Sequence, residues 1–247
     1  MHKCKIFLVV IFSLILSSCS EERDENVWVV GTSADNPPYE YMHDGRITGF
    51  DIDLMKQIAG HLGKDIKFKN MDFHGLIAAL TTKNLDMIIS GLSITPERLR
   101  RVDFSVPYTD AKIAVLYYTR DRFQKTSDLT GKAIGAQLGT VWSLIAHDLS
   151  SQHRFSIKSL ANNLLLVEEL KNKQLDAMIL EESQAARFIS IYPQFSSFNL
   201  EQYSSAFAVA LQKKSPHTKN INHAIKALRS NGTIEALARK WGIIGAE

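Results

Sequence analysis

At 247 residues the chain is long enough for one large domain or two of medium size, and 45% hydrophobic against 22% charged residues describes an ordinary globular body. The net charge of +3, with no Lys/Arg-rich run, excludes nucleic acid and an anionic membrane surface as evident partners. The 8 histidines are scattered without the paired spacing of a zinc site, and there is neither a nucleophile elbow nor a phosphate-binding glycine loop, so no metal, cofactor or catalytic residue is expected.

The first residues read as a processing signal. Lys3 and Lys5 precede the apolar run Ile6–Leu16, too short to span a bilayer but suited to a secretory signal. Leu16-Ser17-Ser18-Cys19 resembles a bacterial lipobox, which implies removal of residues 1–18 and lipidation of Cys19. An ordinary signal with an incidental cysteine is the alternative. Residues 19–26 then form a polar, lipidated tether. Cys4 departs with the signal, so no internal disulfide is expected.

Val27–Val30 reads as a strand, and Ala34–Tyr39 as a loop, since Pro37-Pro38 stops both helix and ladder. Asp44-Gly45 marks a hairpin turn. Asp51–Leu62 is an amphipathic helix, with Ile52, Met55, Ile58, Ala59 and Leu62 on one face. Ile66 and Phe68 alternate in a strand, and Asp72 is placed to cap the next helix. Leu85–Ile89 runs as a strand into Ser90-Gly91-Leu92-Ser93-Ile94-Thr95-Pro96-Glu97-Arg98. Thr95 reads as an N-cap with proline at the first helical position. A strand end, free hydroxyls, a helix N-terminus and a guanidinium thus converge, which suits a carboxylate. Taken alone, Arg98 is equally a solvated surface arginine. The β-α-β-α-β order is that of a doubly wound sheet, whose ligands sit beyond the carboxyl ends of the strands.

A second αβ pattern follows. Ala133–Gln137 is a strand, and Gly139-Thr140 opens a helix through Leu149. Phe155–Leu160 is a strand and Asn163–Leu170 a helix. Leu175–Leu180 is a strand entering Glu181-Glu182, with Ser183 read as the cap of the next helix. Ala206–Leu211 is a further strand; Ser215–Ser230 and Thr233–Trp241 are the last helices.

Ser90–Arg98, followed by Val102-Asp103-Phe104-Ser105-Val106-Pro107-Tyr108, resembles the signature of the polar amino-acid-binding proteins of ABC importers, the bacterial extracellular solute-binding proteins of family 3. The likeness covers nearly all of residues 27–243. It implies an α/β fold of two Rossmann-like lobes joined by a two-strand hinge, of the type II periplasmic-binding-protein kind. Residues 27–109 and 206–247 would form the first lobe and residues 110–205 the second, with crossings near Thr109–Lys112 and Gln202–Ser205.

The same resemblance implies the site. Arg98 and Thr140 would hold the ligand α-carboxylate, with Ser90, Gly91 and Ser93 adding backbone and hydroxyl contacts. Phe73 would pack on the ligand, although it also reads as core packing at a helix start. Glu181 would take the α-ammonium, where aspartate is commoner; by itself it reads as an exposed acid stabilised by the helix dipole. Ser33 and Asn36 fall in the segment that shapes the side-chain pocket. Basic-amino-acid binders often carry a carboxylate at the first position, and many relatives an aromatic at the second. Asp35 or Glu40 could supply a negative charge instead, or be solvated loop residues.

The function implied is an exported, monomeric receptor on the periplasmic face of a bacterial membrane, lipid-anchored at Cys19. It would close on an L-amino acid and deliver it to an ABC permease. Ser20 after the cysteine resembles outer-membrane sorting in two-membrane bacteria. Two rival readings are a dehydratase of arogenate or prephenate on the same scaffold and a ligand-sensing module for a signalling partner. In the dehydratases the catalytic glutamate lies three residues beyond the position of Glu181, where this chain has Gln184.

Overall fold

The computed structural model describes residue 24 and residues 26–243. The signal at residues 1–18 and the lipidation site Cys19 lie outside the described residues. The first sheet is built on β1 (Val27–Thr32), which pairs in parallel with β5 (Asp65–Asn70) and β6 (Met87–Ile88). Two antiparallel strands complete it: β13 (Ala210–Gln212) beside β6, and β7 (Val102–Phe104) outside β13. The buried β1 residues Trp28 and Val30 face α1 (Phe50–His61), whose apolar stripe of Leu54, Met55 and Ile58 is likewise buried. The chain's last helices, α7 (Thr218–Ser230) and α8 (Thr233–Trp241), pack on α1, and Trp241 Nε1 donates to Asp53 Oδ2 at 3.0 Å.

The second sheet repeats the plan. Strand β9 (Ala133–Gln137) lies parallel to β10 (Ser156–Leu160) and β11 (Ala177–Glu181), and β8 (Thr109–Tyr118) runs antiparallel to β11 and to β12 (Phe195–Phe207). Helices α4 (Val141–His153), α5 (Asn163–Lys171) and α6 (Glu182–Ile191) connect and cover these strands. Because β8 leaves the first sheet and β12 returns to it, the two links lie side by side, pairing Thr109 with Phe207 and Lys112 with Ser204. A small third sheet, β2 (Asp35–Asn36), β3 (Glu40–His43) and β4 (Arg46–Thr48), forms around the Pro37-Pro38 loop at the rim of the first.

Several local expectations are corrected. Strand β6 is only two residues long, although Asp86 N and Ile89 N on either side still donate to Val29 O and Gly31 O of β1. Residues Phe73–Gly75 form a 3₁₀ turn ahead of α2 (Leu76–Thr81), and Asp72 makes no side-chain cap. Ser183 is not the cap of α6; Glu181 is, its carboxylate accepting from Gln184 N at 3.0 Å. Helix α7 begins at Thr218, after a turn from Ser215, rather than at Ser215 itself.

Candidate functional site

The carboxyl ends of the parallel strands of both sheets face one another. The first sheet contributes Ser33–Tyr39 after β1, Phe73 after β5 and Ser90–Arg98 after β6. The second contributes Gln137–Val141 after β9, Asn163 after β10 and Glu181 at the end of β11. A cleft cavity of about 10 Å³, room for about one water, is lined by residues including Asn36, Phe73, Ser90, Gly91, Ser93 and Thr140. A larger cavity of about 290 Å³ opens beside it, sharing Phe73 and Thr140 and adding Arg98, Arg101 and Leu144. The candidates Ser33 and Glu181 line neither cavity.

Arg98 stands in the first turn of α3 (Pro96–Arg101), fixed by the Thr95 cap, whose Oγ1 accepts from Arg98 N at 3.1 Å. It is not a solvated residue: only 9% of it is exposed. Its Nη1 donates to Ser93 O at 2.7 Å, its Nη2 crosses the cleft to Gly139 O at 2.9 Å, and the guanidinium lies 5.4 Å over the Phe73 ring. Burial lowers its pKa to about 10, which leaves it cationic at neutral pH. Opposite, Thr140 caps α4, its Oγ1 accepting from Ser143 N at 3.2 Å. A cation and the amino end of a helix therefore stand on the two sides of one seam, the arrangement that binds a carboxylate.

The loop after β6 is held from behind. Gly91 has φ +50, and a Cβ there would meet Asn36 Nδ2 at 2.9 Å and Phe207 at 3.3 Å, so a side chain there would be strained. Asp51 Oδ2 accepts from Gly91 N at 2.7 Å and from the Tyr108 hydroxyl at 2.8 Å. Glu40 Oε1 accepts from Ser90 Oγ at 2.9 Å and from Asn36 Nδ2 at 3.2 Å, while Ser90 Oγ itself accepts from Ser33 N. Burial and the charge of Asp51 push Glu40 far above the usual carboxylate range, so Glu40 is the protonated member of the pair and donates to Asp51. Asp51 is raised to about 6, chiefly by burial. The possibility that Glu40 is a solvated loop acid is thereby ruled out.

Glu181 is 2% exposed, which overturns the reading of an exposed acid. Besides capping α6, it accepts from Ser183 Oγ at 3.2 Å, and Ser183 Oγ in turn lies 3.5 Å from the Tyr39 hydroxyl of the first lobe. Burial raises its pKa to about 7. Asp35, 3% exposed, is likewise no solvated residue; its Oδ2 crosses the cleft to accept from Gln137 Nε2 and from Asn163 N, both at 2.9 Å. Of the other cleft residues, Glu40 is offered by the sequence as a source of negative charge, whereas Gln137, Trp142 and Asn163 are not singled out by it. Gln137 and Asn163 each flank a parallel strand's carboxyl end, a signal that would have found them.

The chain matches the bacterial extracellular solute-binding proteins, family 3, over residues 28–244. It is similar to the arginine-binding extracellular protein ArtP of Bacillus subtilis, 33% identical over 91% of this chain and 89% of that protein. It is also similar to a probable histidine-binding protein of Campylobacter jejuni, 32% identical over 95% of this chain and 96% of that one. Among solved structures, an ancestral arginine-binding protein bound to arginine superposes with a TM-score of 0.83 at 30% identity, covering 89% of this chain and 99% of that chain. The ancestral amino-acid-binding protein AncCDT-1, a precursor of cyclohexadienyl dehydratase, gives a TM-score of 0.82 at 30% identity, over 87% of this chain and 95% of that one. With two sheet-rich lobes meeting at one cleft, this chain belongs to the bacterial extracellular solute-binding proteins of family 3.

Proposed function

We propose that the protein is an extracytoplasmic receptor that binds an L-amino acid between its two lobes and delivers it to the permease of an ABC importer. The observation that carries this is Arg98: a guanidinium buried in the seam, anchored on one lobe and bonded to the other. The ligand α-carboxylate takes the place of Gly139 O at Nη2 and meets the amino end of α4. The α-ammonium is drawn by Glu181. Ser90, Gly91 and Ser93 contribute polar contacts, Phe73 an apolar wall, and Ser33 and Asn36 the approach to the side chain. Since these groups belong to both lobes, only the closed form satisfies all of them, and the ligand favours closure by that difference. Residues 27–109 and 206–247 move as one lobe and residues 110–205 as the other, about the paired links of β8 and β12.

Among the described residues, the buried groups around the cleft that carry charge at neutral pH include Arg98 and the acids Asp35, Asp51 and Glu181, with Glu40 protonated beside Asp51. After Arg98 has met a carboxylate, the remaining charge is negative, which favours a ligand with a basic side chain. The relatives' names, arginine- and histidine-binding, support the same class. The mature protein is a monomer anchored through Cys19, with the outer membrane favoured where the organism has two. An enzyme on this scaffold would need an acid where Gln184 stands, and Gln184 supplies none; turnover of prephenate would reverse the assignment.

Isothermal titration against the twenty amino acids, ornithine and citrulline tests the proposal. Tight one-to-one binding of a basic amino acid is expected, and a ligand at 1,000 times its Kd adds about 4 kcal/mol of stability in a parallel melt. Failure of every amino acid to bind would sink it.

A further inference from the structure

The contact between Asp35 and the second lobe is independent of Arg98 and Glu181. Asp35 Oδ2 takes one amide hydrogen of Gln137 and the first N–H of α5, while Asp35 Oδ1 accepts from Ser33 Oγ at 3.2 Å. The other amide hydrogen of Gln137 goes to Ala161 O at 3.0 Å. Both donors of that amide are thus spent, and its orientation is fixed, because two acceptors cannot be satisfied by its oxygen. Gln137 Oε1 then accepts from Asn163 Nδ2 at 2.8 Å, which orients the second amide in turn. Asn163 Oδ1 is left buried with no donor. Both amides belong to the wall of the cleft cavity.

We infer that Asp35 determines side-chain specificity: by crossing the cleft to take the Gln137 amide and the first N–H of α5, it fixes the two amides so that Asn163 Oδ1 is left on that wall as a buried acceptor with no donor, and the cleft selects amino acids whose side chains donate hydrogen bonds. This rests on the amino-acid receptor reading and specifies its side-chain subsite. A buried acceptor without a donor is costly, so a guanidinium or ammonium there gains what a carbonyl-bearing side chain forfeits. Asp35 does so without itself lining the cavity, and its charge adds to the preference for a cation.

The test measures L-arginine, its neutral isostere L-citrulline, and L-glutamine by calorimetry on the wild-type protein and on Asp35→Ala, Asp35→Ser and Asp35→Asn. The wild type should favour arginine over citrulline at least a hundredfold. In Asp35→Ala and Asp35→Ser the Gln137 amide keeps only one of its two acceptors, Ala161 O, and the wall loses the Asp35 charge, so the ratio should fall tenfold or more, with glutamine binding gained or unchanged. Asp35→Asn keeps an oxygen for both donors and should retain more of the ratio than either. Equal weakening of all three ligands, or an unchanged ratio in whichever of the Ala and Ser variants folds, would overturn the inference while leaving the receptor reading intact. A wild-type protein that binds no amino acid would overturn both.

Discussion

Arg98 Nη2 donates to the carbonyl oxygen of Gly139 at 2.9 Å, joining two lobes whose residues stand 41 positions apart. In the proposed receptor the same nitrogen takes the incoming carboxylate, so the protein's own carbonyl and the ligand compete for it. A carboxylate wins because a charge-assisted bond is roughly twice as strong as one to a neutral carbonyl. Arg98→Ala should therefore weaken amino-acid binding at least a hundredfold, about 3 kcal/mol. Titration calorimetry checks this, and unchanged affinity would refute the assignment of Arg98.

Gly139 also stands at a close approach between the lobes. Its φ is +80, and a Cβ there would stand 3.0 Å from His74 Cβ on the opposite lobe. Gly139→Ala should strain the backbone by about 1–2 kcal/mol and push the lobes apart. Small-angle scattering with saturating ligand should show a larger radius of gyration than wild type, and His74→Gly in the same background should restore part of the closure. A variant that closes as fully as wild type would show that the approach is not limiting.

The buried acids give two pH dependences of opposite sign. Asp35 and Asp51 titrate at about 6 and Glu181 at about 7 in the folded protein, above their ordinary values of 3.8 and 4.5. Between those limits the folded state holds protons that the unfolded chain has lost, so stability falls as pH rises from about 4 to about 7. Asp103, held low by Lys213, acts in the other direction but only as pH falls below its ordinary range. Melting temperature without amino acid should thus peak on the acid side. Binding behaves oppositely: an ammonium requires Glu181 ionised, so affinity should fall below pH 7 by up to about tenfold per unit. Glu181→Gln should flatten that profile; a profile unchanged in the variant would remove Glu181 from the site.

Asp51 serves Gly91 N, the Tyr108 hydroxyl and the proton of Glu40. Asp51→Ala would leave buried donors without an acceptor, each costing about 1–3 kcal/mol. A loss of about 3 kcal/mol or more in urea unfolding is expected. Asp51→Asn, which keeps one acceptor, should lose less.

The Ser90–Arg98 stretch was legible because its determinants are contiguous: Thr95 caps the turn that carries Arg98, and Pro96 fits its first position. Thr140 was legible for the same reason. The carboxylates were not. Asp35 meets Gln137 across 102 residues and Asp51 meets Gly91 across 40, and nothing local distinguishes a buried acid from a solvated one. At the start of α6, Glu181 and Ser183 are both competent caps; the strand's end point on β11 decides in favour of the acid. The two-residue β6 shows the same limit, since an apolar run reports burial and says little about which residues share a ladder.

Tyr108 is the last residue before β8 leaves for the second lobe, and Gly91 sits in the loop on the cleft wall; a single carboxylate holds both. The loop on the cleft wall and the root of the outgoing connection are therefore tied through one side chain. A shift of that wall would thus be felt at the link from which the other half of the molecule is hung.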